Sequence, residues 1–181
     1  MTQRSVGIVG RMRSGKDTAA GVLVRDYGYT RLGFADPLKA VAYETSPILR
    51  EGEWLADVVD RVGWERTKDD YPEARRVLQR LGVSVRDTLG PDVWVKALTD
   101  RVRLVRGPVV VPDVRFRNEA DELRGRGFVI LRIQRPGLPG PDPHVSETES
   151  GAIRADATVI NDSTPDALAD RVHQFVKEYV L

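Results

Sequence analysis

Nine residues near the N-terminus, Gly10-Arg11-Met12-Arg13-Ser14-Gly15-Lys16-Asp17-Thr18, constrain this chain more than any other stretch. They follow an apolar, β-branched run from Ser5 to Val9, precede a helical pattern, and carry the spacing G-x-x-x-x-G-K. Glycines let such a loop curl until consecutive N–H groups point inward at phosphate oxygens, and the dipole of the following helix adds positive potential. Gly10, Met12, Arg13, Ser14, Gly15, Lys16, Asp17 and Thr18 are therefore the expected ATP-binding set, with Lys16 bridging the β- and γ-phosphates. The general pattern places Ser or Thr after the lysine to hold Mg²⁺, and here Asp17 stands in that position. A carboxylate is also a hard oxygen ligand. Asp17 either takes the metal, directly or through water, leaving Thr18 for a phosphate oxygen, or is a first-turn acid stabilised by the helix dipole.

Composition narrows what surrounds the loop. The 181 residues fall within the size of one domain, and the absence of cysteine excludes disulfides, thiolate metal sites and cysteine nucleophiles. A net charge of +1 gives no bulk attraction to nucleic acid, so anion binding must come from local arrangement. Only five of the 28 basic residues are lysines, a bias that mainly reflects genome composition. The N-terminal stretch is too short in apolar residues for a secretory or membrane segment. These features lead to the expectation of a soluble, unprocessed, cytoplasmic protein whose partners are small-molecule nucleotides, with no nucleic-acid polymer and no membrane. Homodimer formation is left open.

Five β-branched runs, Ser5 to Val9, Tyr29 to Phe34, Pro108 to Val111, Phe128 to Ile133 and Ala157 to Ile160, alternate with helical patterns. Alternation of this kind predicts a five-stranded parallel sheet, and runs without polar alternation such as Val109-Val110-Val111 predict central strands covered on both faces. Between the second and third runs lie helical patterns at Pro37 to Thr45, Gly52 to Val62, Pro72 to Leu81 and Pro91 to Val105, with no convincing strand. The expected architecture is an α/β, three-layer P-loop NTPase fold in one domain over 1–181. Residues 36–107 would be a helical acceptor-binding insertion and 135–150 a lid. The chain would close with a helix from Thr164 to Tyr179, opened by a polar cap, Pro165 and an acid.

Further site candidates follow from strand ends, the edge at which open parallel sheets bind ligands. Asp36, after the second run, either contacts the acceptor or a metal-bound water, or caps the next helix. Asp113, after the third, is a candidate second carboxylate for Mg²⁺, with Arg115 at the same edge. The fourth run leads through Arg132 and Arg135 into Leu138-Pro139-Gly140-Pro141-Asp142-Pro143-His144. That Pro- and Gly-rich stretch is either a mobile lid over phosphates or an ordinary surface loop. Arg132 and Arg135 are the candidates to stabilise charge on the transferring group, and His144, without a partner motif, is a donor or a lid contact but not by itself a catalytic base.

Taken together these motifs resemble one family, the deoxynucleoside monophosphate kinases encoded by bacteriophages, within the P-loop nucleoside-monophosphate-kinase fold. The resemblance runs through nearly the whole chain: Ser14-Gly15-Lys16-Asp17-Thr18; Phe34-Ala35-Asp36-Pro37-Leu38-Lys39; Leu78-Gln79-Arg80-Leu81-Gly82 with Arg86 and Trp94. It continues through Asp113-Val114-Arg115-Phe116 with Asn118-Glu119, Arg132 to Gly137, His144 with Ser146-Glu147, and Val159-Ile160-Asn161-Asp162. It implies ATP-dependent conversion of a deoxynucleoside monophosphate to the diphosphate, with Mg²⁺, in host cytoplasm if the gene is a phage's. The acceptor-binding set would be Asp36, Lys39, Gln79, Arg86, Trp94, Arg115 and Glu119. Gln79 offers an amide for a base edge and Arg86 a fork for phosphate, unless Arg86 is simply a surface residue. Trp94 is either a stacking face or core. A sister kinase of another phosphorylated acceptor, such as phosphomevalonate or dephospho-coenzyme A, and a nucleotide-dependent switch are the alternatives.

Overall fold

The computed structural model describes residues 3–138 and 145–181. The chain divides into two compact units, Met1–Gly33 with Thr99–Leu181, and Phe34–Leu98. In chain order, β1 (Val6–Val9), α1 (Lys16–Tyr27) and β2 (Thr30–Arg31) open the first unit. The second holds α2 (Ala35–Thr45), β3 (Ile48–Arg50), β4 (Glu53–Trp54), α3 (Leu55–Asp70) and α4 (Pro72–Leu89), and α5 (Val93–Val102) carries the chain back. The first unit then continues with β5 (Val109–Val114), α6 (Arg117–Gly125), β6 (Val129–Gln134), α7 (Val145–Ala152), β7 (Ala157–Ile160) and α8 (Pro165–Tyr179).

The first unit is built on a five-stranded sheet of order β2-β5-β1-β6-β7 with every pairing parallel. All four residues of β1 are buried, as a central strand covered on both faces requires. On one face α1 and α8 press Ala19, Ala20, Leu23, Val172, Phe175 and Val176 onto Ile8 and Leu131. Closing one aliphatic side chain away from water contributes roughly 1.5–3 kcal/mol, so this cluster fixes the α1–β1–α8 layer. The other face is so tight at Gly7 that an added Cβ would lie 2.9 Å from both Ile130 Cδ1 and Leu123 Cδ1. The start of α8 matches its sequence: Thr164 Oγ1 accepts from Ala167 N at 3.2 Å, with Pro165 in the first turn and Asp166 behind it.

Several boundaries move for physical reasons. The second strand contracts to Thr30–Arg31, and the next helix starts at Ala35, two residues before Pro37, which the first turn accommodates because the N–H that proline lacks would have no helical partner there. The helix expected to stop at Leu81 runs on to Leu89, through Gly82. Leu38 of α2 reaches to 3.4 Å from where a Cβ on that glycine would sit. A short hairpin, β3–β4, stands where no strand was expected; three and two residues are too few for a period of two to be visible. The helix expected over Gly52 to Val62 spans Leu55–Asp70 and breaks at Gly63, whose φ of 78° lies in the left-handed region. Helix α6 lies where no helical pattern was singled out.

The hairpin is fastened by Glu53. Its carboxylate accepts from Arg61, Arg50 and the Tyr71 hydroxyl, the last at 2.9 Å, and the Arg50 guanidinium lies 4.7 Å from the centre of the Tyr71 ring. Hydrogen bonds from Arg61 and then Arg50 push the Glu53 carboxyl down to about 2 from 4.5. Because the folded value lies below the unfolded one, the stabilisation is complete above pH 4.5 and is lost as pH falls towards 2. Glu53→Gln is therefore expected to be less stable than the parent at pH 7 and to converge with it as pH approaches 2. Urea unfolding across that range measures the difference.

Candidate active site

The loop between β1 and α1 is shaped by glycines that admit no side chain. A Cβ on Gly10 would overlap the carbonyl oxygen of Ile133 and sit 2.8 Å from Ser14 Oγ. Gly15, with φ of 101°, forms the left-handed entry to α1. The Arg11 carbonyl accepts from Ser14 N at 3.1 Å and from Lys16 Nζ at 2.7 Å, so the cation of the motif is held inside its own loop. Ser14 is 1% exposed, and its hydroxyl has no hydrogen-bond partner among the described residues. Buried polar atoms are almost always satisfied, so an orphaned hydroxyl in a loop of this shape fits a ligand oxygen.

Asp113 reaches the same sheet edge by way of a bulge. Gly7 pairs with Val111 and Val9 with Val114, so one extra residue of β5 is accommodated around Pro112 and Asp113. Pro112 has no N–H for the ladder, and a bulge turns the neighbouring side chain out of the regular alternation. The register sets Asp113 next to the residue paired with Val9, the last before Gly10. Asp17, in the first turn of α1, has a side chain 86% exposed, 3.9 Å from the Arg31 guanidinium. Among the described residues no three His, Cys, Asp or Glu cluster into a cage of their own. Two carboxylates beside a phosphate loop suit Mg²⁺ all the same, which typically takes one or two carboxylates and completes its shell with phosphate and water.

A cavity of about 500 Å³ opens beside the loop, lined by Gly10, Arg11, Ser14 and the segment from Arg132 to Leu138, with Gly151. Arg132 forms part of its wall, but its Nη2 donates to the carbonyls of Ser150 and Ile153 at the end of α7, and burial lowers its pKa from the usual guanidinium range. Arg135 lines the cavity with an exposed side chain. His144 and the rest of 139–144, the middle of the expected lid, lie outside the described residues.

Of the acceptor candidates, Arg115 and Glu119 lie in the sheet unit, and Asp36, Lys39, Gln79, Arg86 and Trp94 in the helical unit. Glu119 requires a correction. It is 3% exposed, and its carboxylate accepts from the backbone N–H groups of Arg115 at 2.8 Å and Phe116 at 3.0 Å. It closes the N-terminus of α6, where a carboxylate satisfies orphan donors and meets the positive end of the dipole. Trp94 also takes the structural of its two readings: it is buried, and its indole N–H donates to the Gly82 carbonyl at 3.1 Å. Gln79 and Arg86, seven residues apart on α4, share one face of that helix, with Gln79 exposed and Arg86 half-buried. Asp36 and Lys39 belong to the first turns of α2, and the Lys39 ammonium lies 5.7 Å from the centre of the Trp64 ring.

One residue that the sequence offers only within the motif Val159-Ile160-Asn161-Asp162 lies against the loop. Asn161, just past β7 and 8% exposed, donates from Nδ2 to the Ser14 carbonyl at 2.8 Å. A local signal for it exists, an Asn at the end of the last strand, but its partner is 147 positions away in sequence.

The sheet order, the strand-to-helix phosphate loop and its lysine define the class as a P-loop NTPase fold. In fold the chain resembles the shikimate kinase of Acinetobacter baumannii (TM-score 0.51, 12% identity, 97% of this chain and 94% of that one) and the dephospho-CoA kinase of Campylobacter jejuni (0.50, 9%, 97% and 96%). No family model matches the sequence. Among curated proteins, the "Putative deoxynucleotide monophosphate kinase" of Acanthamoeba polyphaga mimivirus is 32% identical over 176 residues, covering 88% of this chain and 89% of that protein. The chain belongs to the deoxynucleotide monophosphate kinase family of that protein. An uncharacterized protein of Ictalurid herpesvirus 1, ORF77, is 27% identical over 179 residues, with 95% of this chain and 70% of that protein covered. Both relatives come from viruses of eukaryotes, which leaves the expected bacteriophage origin without support. No helix among the described residues is long and apolar enough to cross a membrane.

Proposed function

We propose that this protein transfers the γ-phosphoryl group of ATP to the phosphate of a deoxynucleoside monophosphate, producing ADP and the deoxynucleoside diphosphate. The phosphate loop carries the reading, with its orphaned Ser14 hydroxyl and two glycines that tolerate no Cβ. The viral relative's name supplies the acceptor class.

The acceptor phosphate has a second pKa near 6 and is largely dianionic at neutral pH, so its oxygen attacks without a general base. A bond forms from that oxygen to the γ-phosphorus, the bond to the β–γ bridging oxygen breaks, and the electron pair leaves on ADP. The loop N–H groups and Lys16 hold the donor phosphates, Lys16 exchanging the Arg11 carbonyl for the β- and γ-oxygens. Asp17 and Asp113 would hold Mg²⁺, which supplies neutralisation of the polyphosphate charge. Arg135, exposed at the cavity, offers its guanidinium to the transferring group, and Arg132 shapes the wall from which it projects. Asp36, Lys39, Gln79, Arg86 and Arg115 are the residues assigned to the acceptor.

ADP release from Mg-ATP, measured with each of the four common deoxynucleoside monophosphates, the matching ribonucleotides and no acceptor, tests the reading. Turnover that requires a deoxynucleotide is expected. ADP release at the same rate without any acceptor would overturn it in favour of a hydrolytic switch, and turnover only with another phosphorylated acceptor would reassign the substrate.

A further inference from the structure

We infer that Asn161 is a positioning residue for the phosphate loop: by fixing the Ser14 carbonyl it sets the direction of the Gly15 N–H and so the affinity for the phosphates of ATP. The inference rests on the nucleotide reading above, and its support is geometric. In a trans peptide the C=O and the following N–H point in opposite directions, so whatever holds the Ser14 oxygen also aims the nitrogen of Gly15. Asn161 Nδ2 holds that oxygen at 2.8 Å from a buried position, where the bond is little weakened by water.

The Asn161 side chain is itself located from several directions. Its backbone N–H donates to Gln134 O at 2.7 Å, continuing the β6–β7 pairing one residue beyond Ile160. Its neighbours are tied to α8, since Arg171 bonds the Ile160 carbonyl and pairs with Asp162 at 2.8 Å. On the other side, a Cβ added to Gly15 would lie 2.5 Å from Nδ2, so the second glycine of the motif leaves the space this amide occupies. The last strand thus holds a loop that begins after the first, through a peptide whose N–H the phosphate-loop motif places on the anion-binding face.

The test is calorimetric titration of the full chain with ATP and with AMP, comparing the parent with Asn161→Ala, Asn161→Ser and Asp162→Ala. Each variant is first checked by near-ultraviolet circular dichroism. Loss of the latch is expected to weaken ATP by about tenfold, and ATP more than AMP, because the defect lies at the phosphates. Asp162→Ala breaks the neighbouring ion pair but keeps the amide bond, and should stay within about twofold of the parent. If Asn161→Ala does not fold, Asn161→Ser decides, its hydroxyl being too short to reach the Ser14 carbonyl. A folded variant that binds ATP as the parent does overturns the inference, as does equal weakening of ATP and AMP. A parent chain that binds no ATP overturns the proposed function and this inference with it, and is recognised because the failure precedes any substitution.

Discussion

Lys16→Ala is expected to lower kcat/KM for phosphoryl transfer by about 10³-fold while leaving the fold intact, a loss of roughly 4 kcal/mol in transition-state stabilisation. The size follows from what the ammonium meets. In the free protein it holds a neutral carbonyl, that of Arg11, at 2.7 Å. During transfer it faces oxygens on which negative charge shifts towards the leaving group, an interaction that strengthens along the reaction. The fold should survive because the side chain is only half-buried and the loop's other tie to Arg11, from Ser14 N at 3.1 Å, does not involve it. Steady-state kinetics and a thermal melt check the two halves of the prediction. Retention of most activity in a folded variant would refute the role given to the loop.

Gly10→Ala should be the most damaging alanine substitution among the glycines whose surroundings the described residues define, destabilising by about 3 kcal/mol and abolishing nucleotide binding. The obstruction is a backbone atom, the Ile133 carbonyl oxygen on β6, with Ser14 Oγ close by at 2.8 Å. The carbonyl cannot be relieved by a side chain changing rotamer, because β6 is paired to both β1 and β7. Gly21→Ala is the control: that glycine lies inside α1 with nothing within 4 Å of an added Cβ, so the same change there should stabilise by about 1 kcal/mol. Urea unfolding of both variants separates a steric effect from a general dislike of substitution in this region.

The parts of this molecule that could be read from its sequence are those whose cause is local. A loop whose backbone must curl and whose lysine must follow it leaves a fixed spacing, and Thr164-Pro165-Asp166 announces a helix because the three residues act within one turn. Glu119 was legible as a carboxylate near a strand end but not as a cap. The usual capping pattern begins with Ser or Thr, and here Phe116 occupies that position, so the carboxylate reaches back with no hydroxyl to reciprocate. Trp94 illustrates another limit: an exposed stacking ring and a buried ring with a satisfied N–H have the same letter, and only the approach of Gly82 distinguishes them. The Gly7–Val9 register shift and the Asn161 bond depend on strands far apart in the chain, and nothing adjacent to either residue records its partner.

The double use of the Arg11 carbonyl has a consequence for how the site responds to its surroundings. A loop whose lysine already holds a carbonyl presents less open positive charge: an anion must displace an internal partner before it gains the ammonium. An anion that engages only the lysine exchanges one contact for another, whereas a polyphosphate that engages several N–H groups at once gains more than it displaces. A preference of the loop for polyphosphates over simple anions is the expected consequence, read as competition of ATP against chloride and inorganic phosphate.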